Sequence, residues 1–117
     1  MNKYKQILGA KGEELALRFL RRKGYKIIAR NFSSPVGEID IIARQGREMV
    51  FIEVKARSSP DFGWPEEAIS REKIKHLFRA AQFYIKRNAH SEEIFRFDVV
   101  SIIFGEKPQI TLIKDAF

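Results

Sequence analysis

Asp40, Glu53 and Lys55 stand in two runs, GEIDIIAR from Gly37 and MVFIEVKAR from Met49, that otherwise read as buried strand. An unpaired ion in a core costs several kcal/mol or more, so these charges either lie on a solvated sheet face or hold something. Side chains alternate along a strand, which groups Asp40 with Glu38 and Ile42, and Glu53 with Phe51, Lys55 and Arg57. With Gln45 and Gly46 as a two-residue turn, Asp40 falls opposite Phe51 and Glu38 opposite Glu53, leaving Asp40 diagonal to Glu53 on one face. Two carboxylates about 4 Å apart repel by roughly 4 kcal/mol at an effective dielectric of about 20, and a divalent cation reverses that penalty. The chemistry indicated is binding of Mg²⁺ or Mn²⁺ by Asp40 and Glu53, with the backbone carbonyl of Val54 as a further oxygen ligand. Lys55 could then orient or help deprotonate an attacking water and steady charge developing on phosphorus. The plainer alternative is a half-exposed hairpin whose solvated acids are neutralised by the lysine.

The composition narrows the choice of ion. The chain has no cysteine, and its only imidazoles, His76 and His90, lack zinc-type spacing, so hard cations with oxygen ligands remain. At 117 residues, with 44% hydrophobic and 32% charged residues, the chain is expected to form one domain over residues 1–117. No apolar run approaches the roughly 20 residues of a membrane helix, and MNKYKQILGAKGEE lacks a signal core, so a cytoplasmic protein without membrane contact is expected. A net charge of +7 favours a polyanionic partner, nucleic acid first among them.

The acids need elements to position them. Gln6–Lys23 has helical periodicity, with Gly24 as its stop. Glu13 falls on the apolar arc of that helix with Gly12, Ala16, Leu17 and Leu20, whereas Glu14 stands four residues before Arg18 as an ordinary exposed pair. Glu13 therefore either snorkels into water or joins the acids of the sheet. YKIIARNF, GEIDIIAR and EMVFIEVKAR read as three strands. Ser70 caps a second helix running to about Asn88, with an apolar stripe of Ile74, Leu77, Phe78, Ala81 and Ile85. FRFDVVSIIF and QITLIKDAF read as two further strands around a turn from Gly105 to Pro108. The expected class is α/β, a mixed sheet with helices packed on it.

GAKGEELA from Gly9, the GEID run, FIEVKAR, Lys73, RFDVV from Arg96 and the DAF at the end carry a resemblance that covers nearly the whole chain. In these residues the sequence resembles the YraN family of bacterial proteins, and through it the Holliday junction resolvase branch of the PD-(D/E)xK nuclease superfamily. The resemblance implies a restriction-endonuclease-like mixed sheet in the order α-β-β-β-α-β-β. It also implies a divalent-metal-dependent DNA endonuclease acting on branched DNA or recombination intermediates, and a two-fold homodimer. By matching motif, Glu13 resembles the helix acid, Asp40 the motif aspartate, Glu53 the acid of E-x-K and Lys55 its lysine. Glu13, Asp40 and Glu53, with Val54, would then hold Mg²⁺ or Mn²⁺. The literal Pro-Asp pair is absent, since Ile39 precedes Asp40. Glu38 could be an additional ligand or hold Lys55 or an arginine. Lys73, Arg57, Lys75 and Arg79 are candidate phosphate contacts, and Asp98 a candidate buried partner for a basic side chain. Phe62, Trp64 and Phe83 could stack on bases or form a dimer seam. Two other readings stay open, a nucleic-acid-binding protein that keeps the nuclease fold without its chemistry, and a subunit whose basic face meets an acidic protein.

Overall fold

In the computed structural model the described residues are 3–59, 69–88 and 94–117, so Phe62, Trp64 and His90 lie outside them. The elements are α1 (Lys3–Arg22), β1 (Lys26–Ser34), β2 (Gly37–Gln45), β3 (Glu48–Arg57), α2 (Arg71–Asn88), β4 (Ile94–Ile103) and β5 (Gln109–Ile113). This is the expected order, and α1 starts a turn earlier than its periodicity suggested. The strands form one sheet in the order β1-β2-β3-β4-β5. Only β3 and β4 run parallel, and a parallel pair requires a long crossover, in which α2 lies.

The helices cover opposite faces. Ala16, Leu17 and Leu20 of α1 cluster with Ile41, Ala43, Val50, Ile52, Val100 and Ile102. Leu77, Ala80, Ala81 and Tyr84 of α2 cluster with Ile39, Ile42, Met49 and Phe51. β3 is therefore buried on both sides, which explains its unbroken apolar run from Met49 to Ile52. Burying this much aliphatic and aromatic surface, at roughly 25 cal/mol per Å², is the main driving force for the fold. Close contact sets the spacing of both layers. A Cβ on Gly12 would lie 2.8 Å from the Ala56 Cβ, and one on Gly37 would lie 2.7 Å from the His76 carbonyl oxygen. Glycine at these two positions lets α1 lie against β3 and α2 against the start of β2.

Three details depart from expectation. The β2–β3 turn is Gly46–Arg47 rather than Gln45–Gly46, with Gly46 at φ 60°, where glycine is favoured. The buried stripe of α2 is Leu77, Ala80, Ala81 and Tyr84, rotated from the expected one, and Phe78 is 38% exposed. Finally, alternation along β2 breaks at Asp40, because Ile39 and Ile42, three residues apart, both face α2. Opposite this break, Asn31 of β1 adopts φ 51°, while Arg30 and Phe32 pair with Ile41 and Ile39. A left-handed residue in a strand steps the pleat and re-aims its neighbours, as bulges do. Among the described residues no helix is long and apolar enough to cross a membrane.

Candidate active site

β2 and β3 part company where the acids stand. Their ladder runs from Gln45↔Glu48 to Ile41↔Ile52 and ends there, although β2 begins at Gly37 and β3 continues to Arg57. One step further the register sets Asp40 across from Glu53, not across from Phe51. The turn moved by one residue on each side, so the two acids remain neighbours, now directly opposite. Glu38 is exposed and pairs with Ser33 of β1, so its expected place opposite Glu53 is corrected.

The Asp40 carboxylate substitutes for the missing strand partner, its Oδ2 accepting the Val54 amide N–H at 2.8 Å. In a strand the N–H and C=O of one residue leave the same edge, so the Val54 carbonyl also faces the fork. Glu53 is 4% exposed, and its Oε2 has no hydrogen-bond partner. Burial, and then the Asp40 carboxylate close enough to share a proton, push Glu53 up to about 8. Lys73 and Lys55 pull in the other direction. Lys73 reaches in from α2, with Nζ 3.9 Å from Glu53 Oε1, and Lys55 is half-buried two residues along the same side of β3.

Glu13 approaches Asp40 from α1. Its side chain is 16% exposed, and its Oε1 is buried without a hydrogen bond. The snorkelling alternative for this residue therefore does not hold. Arg30 Nε stands 3.7 Å from Oε1, beyond hydrogen-bond length, and Arg30 Nη2 donates to Glu14 Oε1 at 2.8 Å instead. Burial and the nearby Asp40 raise the Glu13 pKa, while Arg30 and the Asn31 side chain oppose the rise. Asp40 is thus the hinge of two acid pairs, with Glu13 on one side and Glu53 on the other. Among the described residues no three acidic or imidazole side chains are already gathered closely enough to enclose an ion. The donor set nevertheless fits a hard cation. Two buried carboxylate oxygens lack hydrogen bonds, a third carboxylate lies between them, and a backbone carbonyl faces the same gap.

The other predicted contacts stand on β3 and α2, the elements that carry Glu53 and Lys73. Arg57 is half-buried at the end of β3, and Lys75 and Arg79 are exposed on α2. Phe83 is half-buried beneath Arg87, whose guanidinium carbon is 4.7 Å from the ring centroid. An apolar groove of about 400 Å³ between α1 and Phe104 borders Glu14 rather than Glu13 and brings no acids together. Asp98 is the buried partner of a base. It receives Arg96 Nε at 2.8 Å, Arg96 Nη2 at 2.9 Å, the Tyr25 hydroxyl at 2.8 Å and the Asp115 amide at 3.0 Å. Arg96 also donates to Glu48, and to Gln45 Oε1 at 2.8 Å.

Sequence reasoning missed Arg30 and Asn31 as site neighbours. The available signal was the asparagine itself, a residue depleted in strands and tolerant of left-handed backbone, set inside KIIARNF.

The mixed five-stranded sheet with a helix on each face, in the order α-β-β-β-α-β-β, is an α/β fold consistent with a resolvase-like one. The profile of the uncharacterised protein family UPF0102 matches residues 12–102, and the chain belongs to that family, the YraN family of the sequence reading. A UPF0102 protein of Caldicellulosiruptor saccharolyticus is 46% identical over 116 residues, 97% of this chain and 98% of its own. One from Geobacter metallireducens is 43% identical over 118 residues, 100% of this chain and 97% of its own. Another, from Syntrophomonas wolfei, is 46% identical over 111 residues, 94% and 96% respectively.

Proposed function

We propose that the protein is a divalent-metal-dependent phosphodiesterase that cuts DNA, with branched or recombination intermediates as its substrates. The observation that carries this reading is the pair of buried carboxylate oxygens without a hydrogen bond, Glu13 Oε1 and Glu53 Oε2, on either side of Asp40. Among the described residues these are the buried side-chain oxygens left without a hydrogen bond, and such atoms are characteristic of places that meet a ligand or an ion. Glu13, Asp40, Glu53 and the Val54 carbonyl would hold Mg²⁺ or Mn²⁺. When bound, the ion supplies Lewis-acid polarisation of the phosphoryl group and offsets the repulsion among the acids.

The remaining work falls to the chain. Asp40, held by the Val54 amide, fixes the spacing of the fork. Lys55 presents an amine beside Glu53, where it orients the attacking water and neutralises charge growing on the phosphoryl oxygens. Arg57, Lys75 and Arg79 offer cations for the flanking phosphates, consistent with the net charge of +7. A two-fold pair of such sites suits a four-way junction.

Cleavage of linear, flap and four-way DNA with Mg²⁺ is the test. Product formation should fall by at least about a hundredfold in Asp40→Asn, Glu53→Gln and Lys55→Ala. Activity that survives all three changes rules out this site. A second reading, a DNA-binding protein without chemistry, draws on the cations already beside the acids, Arg30 at Glu13 and Lys73 at Glu53. It predicts salt-sensitive DNA binding that EDTA leaves untouched, and no new DNA ends.

A further inference from the structure

The first turn of a helix is an unfavourable place for a lysine, because the exposed amides there carry partial positive charge. Lys73 nevertheless occupies the third position of α2, its own amide N–H donating to Ser70 Oγ at 3.1 Å. From there its side chain turns to β3 and sets Nζ 3.9 Å from Glu53 Oε1. The pair is incomplete in two respects. The separation is too long for a hydrogen bond, and Glu53 Oε2 is left with no partner. The Lys73 side chain is 37% exposed, so its flexible stem can also swing outward. A monovalent ammonium loosely held at a buried carboxylate is easily displaced by a doubly charged ion seeking the same oxygens.

We propose that Lys73 is an exchangeable counter-ion, which holds Glu53 in the metal-free protein and moves to a substrate phosphate when a divalent cation takes that carboxylate. This inference rests on the metal reading above. It assigns Lys73 a positioning role that couples ion loading to substrate grip, rather than a permanent place on either partner. Two other groups bear on Glu53, the Asp40 carboxylate and the Lys55 ammonium. Lys55 shares the strand with Glu53, so it cannot leave as freely as a side chain anchored on a separate helix.

The test uses the full chain with Lys73→Met, which keeps the aliphatic stem, and Lys73→Arg, which keeps the charge. Above pH 8, where the Glu53 carboxylate is ionised, Mn²⁺ is titrated calorimetrically into each, and a four-way DNA is titrated fluorimetrically with either EDTA or Ca²⁺ present. Lys73→Met should bind Mn²⁺ about threefold to tenfold tighter than wild type, because its competitor is gone, and Lys73→Arg should resemble wild type. With Ca²⁺ present, Lys73→Met should bind DNA about threefold to tenfold more weakly, while with EDTA the two proteins should bind alike. Unchanged or weaker Mn²⁺ affinity in Lys73→Met overturns the counter-ion role. So does an equal loss of DNA affinity in both buffers, which marks a plain phosphate contact. Absence of Mn²⁺ binding by the wild type overturns the metal reading, and the role of Lys73 with it. None of these readouts depends on cleavage, so a protein that binds the ion and cuts nothing is told apart.

Discussion

Asp98 and Glu53 are both buried carboxylates on neighbouring parallel strands, offset by a single residue in register, since Asp98 pairs with Ile52 and Glu53 with Val99. The fold treats them in opposite ways. Asp98, 0% exposed, is surrounded by an arginine fork, a tyrosine hydroxyl and a backbone amide. Through Arg96 and Tyr25 it ties β4 to the start of β1 and to the β2–β3 turn, and through the Asp115 amide to the chain beyond β5. Glu53, 4% exposed, has two lysine ammoniums near it without a hydrogen bond from Lys73, an acidic neighbour and an oxygen with no hydrogen bond. Burial alone therefore does not mark a functional acid. What separates the two is how much of the desolvation cost the chain itself offsets.

Asp98→Ala should produce the largest effect, because it removes the acid shared by the buried Tyr25 hydroxyl, the half-buried Arg96 and the Asp115 amide. A loss of about 3–5 kcal/mol is expected, read from the midpoint of denaturant unfolding. A loss below about 1 kcal/mol would remove Asp98 from its structural role. Glu53→Gln should move stability the other way, by about 1–3 kcal/mol in favour of the folded state at pH 8 without metal, since it deletes a charge the fold leaves uncompensated. Destabilisation of that variant at pH 8 would mean that Glu53 is well paired after all.

The pH dependence follows from the same acid. Glu53 keeps its proton in the folded chain up to about 8 but loses it near the ordinary carboxylate value of 4.5 when unfolded. Between those limits the folded state binds more protons, so this contribution is complete below 4.5 and is lost as pH rises through about 8. The slope is at most about 1.4 kcal/mol per pH unit. Subtracting a Glu53→Gln series from wild type should isolate it, and two parallel curves would contradict it. The smallest effect is expected at Gly12, where a Cβ would meet the Ala56 Cβ at 2.8 Å. Gly12→Ala should cost about 1–2 kcal/mol in thermal unfolding, overpacking outweighing the better helix propensity, and should slow cleavage by displacing Glu13. An unchanged rate in a destabilised Gly12→Ala protein would separate Glu13 from the chemistry.

Much of this contrast was legible in the residues. The element order follows from the switch between helical and strand periodicity, and the anomalous charges of β2, β3 and α1 single out Asp40, Glu53, Lys55 and Glu13. Asp98 was identifiable only as a candidate, because its partners Tyr25, Arg96 and the Asp115 amide are distant or ordinary in sequence. The exact facing of the acids was not readable. It depends on which two residues make the β2–β3 turn and on a pleat step at Asn31, and either feature can reverse a strict alternation. The rotated stripe of α2 has a similar origin, since a helix with apolar residues at Ile74, Leu77, Phe78, Ala81, Tyr84 and Ile85 can bury more than one arc, and packing on Phe51 and Ile42 selects among them. Lys73 reads in sequence as a phosphate contact and not as a neighbour of Glu53, because that acid lies on another element.

The central claim is that the acids at the fork, whose buried oxygens lack hydrogen bonds, exist to receive a divalent cation. Mn²⁺ calorimetry on wild type, Asp40→Asn, Glu53→Gln and the exposed control Glu14→Gln at pH 8 tests it most directly. Saturable binding in wild type and Glu14→Gln, weakened at least about tenfold in the other two, is the predicted result. Binding that is absent from wild type, or that persists unchanged in Asp40→Asn and Glu53→Gln, would contradict it.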